Sequence, residues 1–263
     1  MIDLYINSSI YVQVILAGMF TWFVTSLGSA LVFLFKRVSA NLLDAMLGLS
    51  AGVMIAASFF SLLNPAIIQS ENLGMTPWIV VSLGFTCGGA LLIIGDMIFT
   101  RLFKNKNITK LKRSIMLLSS ITLHNIPEGL AVGVAFGSIM YGIEGANLTS
   151  AIMLTIGIAI QNFPEGTAVS LPLRRENFSR VKSFLYGAMT GVVEPISALT
   201  GCILVMYVRN ILPFLLAFAA GAMIYVVVSE LIPESQKNEH KNLMSIFTII
   251  GFVIMMILDV ALG

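Results

Sequence analysis

The stretch Leu123-His124-Asn125-Ile126-Pro127-Glu128-Gly129 recurs in outline 37 residues later as Ile160-Gln161-Asn162-Phe163-Pro164-Glu165-Gly166. Each copy sits in an apolar run long enough to cross a bilayer, where an ionisable side chain is expensive and points to function. On a helix His124 and Glu128 stand at i and i+4, so imidazole and carboxylate share a face, as do Gln161 and Glu165. Imidazole and carboxylate one turn apart have a metal-ligand spacing. Asn125 and Asn162, three residues before the glutamates, offer amide oxygens as further donors, or cap carbonyls released by the prolines. A third carboxylate, Glu194, precedes Pro195. Carboxylates that face one another repel unless they are protonated or bridged by a cation. A divalent metal removes that conflict; a neutral, protonated cluster is the alternative. Pro127 and Pro164 lack an N–H, so kinks are expected there, and broken helices near the midplane are where transporters place their sites.

The elements that hold these residues must be membrane helices. Of 263 residues 57% are hydrophobic and only 11% charged, with mean hydropathy +0.95, against about 25% charged in soluble domains. Hydropathy predicts eight spans, at 9–35, 42–69, 77–103, 114–139, 148–172, 183–208, 212–233 and 243–262. They leave no soluble domain, so 1–263 reads as one transmembrane unit. The first run lacks a basic n-region and a cleavage site and reads as a retained span. Alternating the loops puts fourteen of the fifteen Lys and Arg on one side, with Arg209 alone opposite. By the positive-inside rule that side is cytoplasmic, with both termini outside a cell membrane, inner or plasma. The net charge of +2 and short basic loops do not suggest nucleic-acid binding.

Other polar and small residues have plainer readings. Cys87 and Cys202 read as small packing residues. Glycines spaced four apart, at Gly48 and Gly52, Gly84 and Gly88, Gly129, Gly133 and Gly137, and Gly187 and Gly191, let helix backbones approach closely. Asp44 lies near the inner end of span 2. Asp96, Glu230 and Asp259 lie toward span ends, where helix-end charges or ion pairs are tolerated; the alternative is a set of stepping stones along an ion path. His240, among Lys and Glu between spans 7 and 8, reads as solvated. Met54 in span 2 is held open as a thioether ligand.

Spans 4 and 5 carry the same motif in opposite directions, the pattern of an inverted repeat; spans 1–3 and 6–8 show no clear sequence identity, so their relation is conjecture. At the duplicated motif, with Glu-Pro in span 6, the chain resembles the ZIP (Zrt-, Irt-like protein) family of divalent-metal transporters, in its bacterial GufA-type branch. The resemblance spans the whole chain. It implies an all-α integral membrane protein whose eight transmembrane helices form a 3+2+3 bundle with inverted-repeat pseudo-symmetry and kinked helices 4 and 5. It implies transport of Zn2+, and often Fe2+, Mn2+ or Cd2+, into the cytoplasm, with the metal as cargo and no catalytic cofactor. Carried over by position, it assigns a first metal to His124, Glu128, Gln161 and Glu165, with Met54 a weaker candidate. A second falls to Asn125, Glu128, Asn162, Glu165 and Glu194. Gln161 stands where many members have His, which weakens the case for zinc preference, and the loop between spans 3 and 4 is short and without His.

Two other classes compete. An intramembrane metalloprotease or di-metal enzyme needs more ligands and a water-activating base, and the spans hold one His. A proton-coupled solute carrier gives no reason for His, Asn and Glu to cluster twice. The chain therefore reads as a transporter rather than an enzyme, with divalent metal ions and the lipid bilayer as its partners. Oligomeric state, a homodimer among the options, is not decided by the sequence.

Overall fold

The same apolar runs that read as spans fold as helices, because in hydrocarbon a backbone satisfies its polar groups most simply within one segment. A computed structural model describes residues 8–34, 39–103, 109–143, 146–175, 177–207, 209–236 and 241–262. Apart from short turns, these residues are helical, and no strand occurs among them. The helices are α1 (Ile10–Leu34), α2 (Ala40–Ala57), α3 (Asn64–Asn72), α4 (Pro77–Phe103), α5 (Thr109–Met140), α6 (Leu148–Arg175), α7 (Arg180–Thr190), α8 (Val193–Tyr207), α9 (Leu212–Val226), α10 (Ile232–Ser235) and α11 (Lys241–Leu262). Three of them, α2, α7 and α6, start on a side-chain cap: Ser39 accepts from the Leu42 N–H, Ser179 from Lys182 and Asn147 from Ser150. Gly142, in the turn after α5, takes φ 61°, a left-handed conformation that glycine adopts without strain.

The motif helices α5 and α6 run unbroken through Pro127 and Pro164. The interruptions fall in their neighbours. A turn at Gly191 and Val192 separates α7 from α8, so Glu194 and Pro195 enter the first turn of α8, where the missing proline N–H costs no helical bond. Wider π-helical segments, Ser58–Leu63 and Val227–Leu231, join α2 to α3 and α9 to α10, and each is followed two residues on by a proline, Pro65 or Pro233.

Among the described residues, six stretches are long and apolar enough to cross a membrane: Ile10–Leu34, Ala40–Asn72, Pro77–Gly95, Arg180–Val205, Leu212–Ser235 and Asn242–Ala261. The motif helices α5 and α6, 32 and 28 residues long, are not among these six. In α6 the polar motif dilutes the apolar run. Burial separates centre from periphery: 61% of the Ala40–Asn72 window is buried but only 17% of the windows in α4 and α11, whose outer faces expose large apolar side chains such as Leu83, Leu91, Ile249 and Ile257.

Four helix pairs make the most extensive contacts: α5 with α8, α1 with α6, α2 with α11, and α4 with α9. In each pair a glycine from either helix seats against a backbone carbonyl of the other. Gly133 lies on Ala198 and Gly201 on Leu130; Gly28 lies on Phe163 and Gly166 on Thr25; Gly52 lies on Thr248 and Gly251 on Leu49; Gly88 lies on Phe218 and Gly221 on Phe85. A methyl group at any of these positions would approach the carbonyl oxygen to 2.6 Å or less, so the small-residue stripes are packing surfaces, as expected.

Candidate metal-binding site

Side chains from five helices converge where α5 and α6 lie side by side. Glu128 and Asn125 come from α5, Gln161, Asn162 and Glu165 from α6, Glu194 from the start of α8, Thr25 from α1 and Ser50 from α2. All eight side chains are buried. Gln161 Nε2 donates to Glu128 Oε1 at 2.5 Å, which ties the first residue of one motif to the glutamate of the other. Glu194 receives both asparagines, Asn125 Nδ2 on Oε1 at 3.2 Å and Asn162 Nδ2 on Oε2 at 2.7 Å. Thr25 Oγ1 reaches the same Oε1 at 3.2 Å. Ser50 Oγ lies 3.3 Å from Glu165 Oε1 and 3.4 Å from the main-chain oxygen of Gln161.

These bonds orient the amides. A carboxylate only accepts, so Asn125, Asn162 and Gln161 turn their NH2 groups toward Glu194 or Glu128, and their carbonyl oxygens face away. Asn125 Oδ1, Asn162 Oδ1, Gln161 Oε1 and Glu128 Oε2 then have no hydrogen-bond partner among the described residues. Buried polar atoms without partners are rare and call for an explanation. Here four of them are oxygens, all acceptors, and all belong to the duplicated motif. Such a set is completed by a cation, by water or by a proton on Glu128. Glu128 is within electrostatic reach of Glu165 and Glu194, and Glu165 of Glu230 in the π segment before α10.

Among the described residues no three His, Cys, Asp or Glu side chains gather closely enough to hold an ion by themselves. What the fold assembles is a mixed set of carboxylate and amide oxygens. The side chains of His124 and Asp96, and the whole of His240, lie outside the described residues. Met54 lies one turn beyond Ser50 on α2 and is buried in the apolar core. Asp259 on α11 accepts from Ser61 in the π segment after α2, at 2.7 Å. Cys202 is buried in the apolar core and Cys87 is exposed on α4.

Residues 104–259 match the family model for the ZIP zinc transporter, which covers more than half of the chain and includes both motif copies and Glu194. The chain belongs to the ZIP zinc transporter family. Its relatives include the human protein named zinc transporter ZIP11, 36% identical with 98% of this chain and 99% of that protein covered. The protein named zinc transporter ZIPB from Bordetella bronchiseptica is 35% identical over 95% of this chain and 81% of its own length. The protein named zinc transporter GufA from Myxococcus xanthus is 31% identical over 91% of this chain and 94% of its own. These relatives and the family are named for transport rather than for an enzymatic reaction. Within this ZIP chain, the glycine that ends each motif has a direct role in assembling the site. Gly129 backs onto the Glu194 carbonyl and Gly166 onto the Thr25 carbonyl, so each lets the helix carrying an accessory side chain come close.

Proposed function

We propose that this chain is a divalent-metal transporter that carries Zn2+ or a similar ion, Fe2+, Mn2+ or Cd2+ among them, into the cytoplasm through a site between α5, α6 and α8. The observation that carries the reading is the set of four unpartnered, buried motif oxygens in a protein of the ZIP family. The names of the relatives support zinc as the first ion to test. Purified protein in proteoliposomes should take up Zn2+ faster than protein-free vesicles; uptake equal to that background ends the proposal.

In this reading the site is binuclear. His124, Glu128, Gln161 and Glu165 hold one ion, with Met54 as an additional candidate, and Asn125, Asn162 and Glu194 join the two bridging glutamates around the other. The amide oxygens turned out of the Glu194 network support the second position. Glu194→Gln should lose the second ion, keep the first and slow transport. Anomalous scattering from crystals at saturating Cd2+ reads this directly: one ion in the wild type, or two empty positions in the variant, refutes it.

The same proposal takes 1–263 as one unit of eight spans in a 3+2+3 inverted repeat, with α5 and α6 as the central pair. Exchanging α5 with α6, α1 with α8, α2 with α9 and α4 with α11 turns each of the four tight helix pairs into another of them, which supports the repeat. So do the matching Ser-x-Leu-x-Pro sequences at Ser61 and Ser229, each running from a π segment to a proline. Both termini then lie outside. A single cysteine replacing Lys106 should react with an impermeant thiol reagent only from the cytoplasm, and one replacing Gly145 only from outside. The reverse pattern inverts the orientation.

A further inference from the structure

Two hydroxyls that lie outside the duplicated motif each face two acceptors with a single proton to give. Ser50 Oγ sits 3.3 Å from Glu165 Oε1 and 3.4 Å from the Gln161 carbonyl oxygen. Thr25 Oγ1 sits 3.2 Å from Glu194 Oε1 and 3.2 Å from the Thr21 carbonyl oxygen, and Thr21 Oγ1, which donates to the Gly18 carbonyl at 3.0 Å, is a further hydroxyl bonded to Glu194. A hydroxyl rotates but donates only once, so each serves either a carboxylate of the site or a main-chain carbonyl. Both side chains are buried, out of reach of bulk water. The main-chain acceptor gives the proton a destination whenever the carboxylate is engaged elsewhere, so releasing the carboxylate leaves no buried donor unsatisfied.

We propose that Ser50 and Thr25 are placeholders for the transported cation. With the site empty, each donates to its carboxylate and holds it in place. When a divalent ion takes Glu165 or Glu194, the hydroxyl turns to the neighbouring carbonyl, and it turns back as the ion leaves. The inference rests on the metal-transport reading and deepens it. Hydrogen bonds to a charged group are stronger than neutral ones, and a buried carboxylate stripped of donors is costly. The two hydroxyls therefore stabilise the empty site, weaken metal binding and speed release, which a carrier needs and a storage site does not. They are positioning residues, and they belong to α1 and α2, helices that carry no part of the motif.

Ser50→Ala and Thr25→Val remove the hydroxyl with little change in volume. Zn2+ binding to the purified full chain, measured by titration calorimetry, should tighten roughly tenfold in each. Saturated Zn2+ uptake into proteoliposomes should slow, so that the half-saturating concentration and the maximal rate fall together. A purely structural role would lower the rate without tightening binding. Thr25→Ser keeps the hydroxyl and should match the wild type in both measurements. Weaker or unchanged Zn2+ affinity in either folded variant overturns the proposal, because the hydroxyl would then be supporting the bound ion or be irrelevant to it. Should Ser50→Ala not yield monodisperse protein, the Thr25→Val and Thr25→Ser pair decides. A wild type that neither binds nor transports Zn2+ fails on a different sample, and it removes the transport reading and this inference together.

Discussion

Zn2+ uptake by proteoliposomes carrying Glu128→Ala is expected to fall to the protein-free background, and His124→Ala should do the same. Glu128 is fully buried, accepts from Gln161 on one oxygen, and has its other oxygen unpartnered among the described residues. It links the two motif copies and lies within electrostatic reach of both other deep carboxylates. Removing it leaves Gln161 Nε2 without its acceptor and takes one of the negative charges that attract the ion. Losses of supporting groups around metal ligands cost 10- to 100-fold in affinity or activity, so loss of Glu128, if it bridges two ions as proposed, should exceed about a hundredfold. Glu128→Ala deletes no packing volume outside the site, so it should elute as folded protein with a melting temperature close to that of the wild type, and His124→Ala is held to the same melting measurement. Wild-type-like uptake by folded Glu128→Ala or His124→Ala protein would falsify the site assignment.

The second large effect is expected from a methyl group. In Gly166→Ala the new Cβ would sit 2.0 Å from the Thr25 carbonyl oxygen and 2.9 Å from the Ser29 backbone nitrogen. Backbone atoms cannot rotate away as a side chain does, so α1 must separate from α6. That strains the bonds between the two helices, Ser29 Oγ to the Gly166 carbonyl at 3.1 Å and Thr167 Oγ1 to the Gly28 carbonyl at 3.1 Å. It also draws Thr25 from Glu194. Overpacking typically costs about 1–3 kcal/mol, and a clash against backbone belongs at the upper end. The melting temperature of the detergent-solubilised protein should fall by roughly 5–10 °C, with uptake reduced in parallel. Gly89→Ala is the control, since its Cβ would meet only the Gly221 carbonyl at 3.6 Å, an ordinary contact. If Gly166→Ala melts and transports like Gly89→Ala, the close approach of α1 to α6 is not what holds this part of the protein.

The covalent sequence alone determined the membrane class, the positions of the helical runs and the six motif residues His124, Asn125, Glu128, Gln161, Asn162 and Glu165. Each rests on local physics: hydropathy over a window, and the i, i+3 and i+4 spacing of a helix face. Pro127 and Pro164 stand inside helices that continue through them, while the break falls at Gly191, ahead of Glu194 and Pro195. The glycine stripes were legible as contact surfaces, but not their partners.

Only the tertiary structure decided which side chains complete the site. Ser50 and Thr25 look in sequence like any hydroxyl in an apolar helix, and most such hydroxyls here bond their own preceding turn, as Ser58 does to Met54 and Ser70 to Ala66. What sets Ser50 and Thr25 apart is that the helix standing opposite, more than a hundred residues away along the chain, brings each of them a carboxylate of the candidate site. The same holds for the orientation of the amides. The direction in which Asn125 and Asn162 turn is set by a carboxylate on α8, and α8 reaches them because Gly129 and Gly133 allow it to. Helix periodicity fixes which residues share a face, but which faces meet depends on packing among all the helices at once, and no local pattern in the sequence carries that.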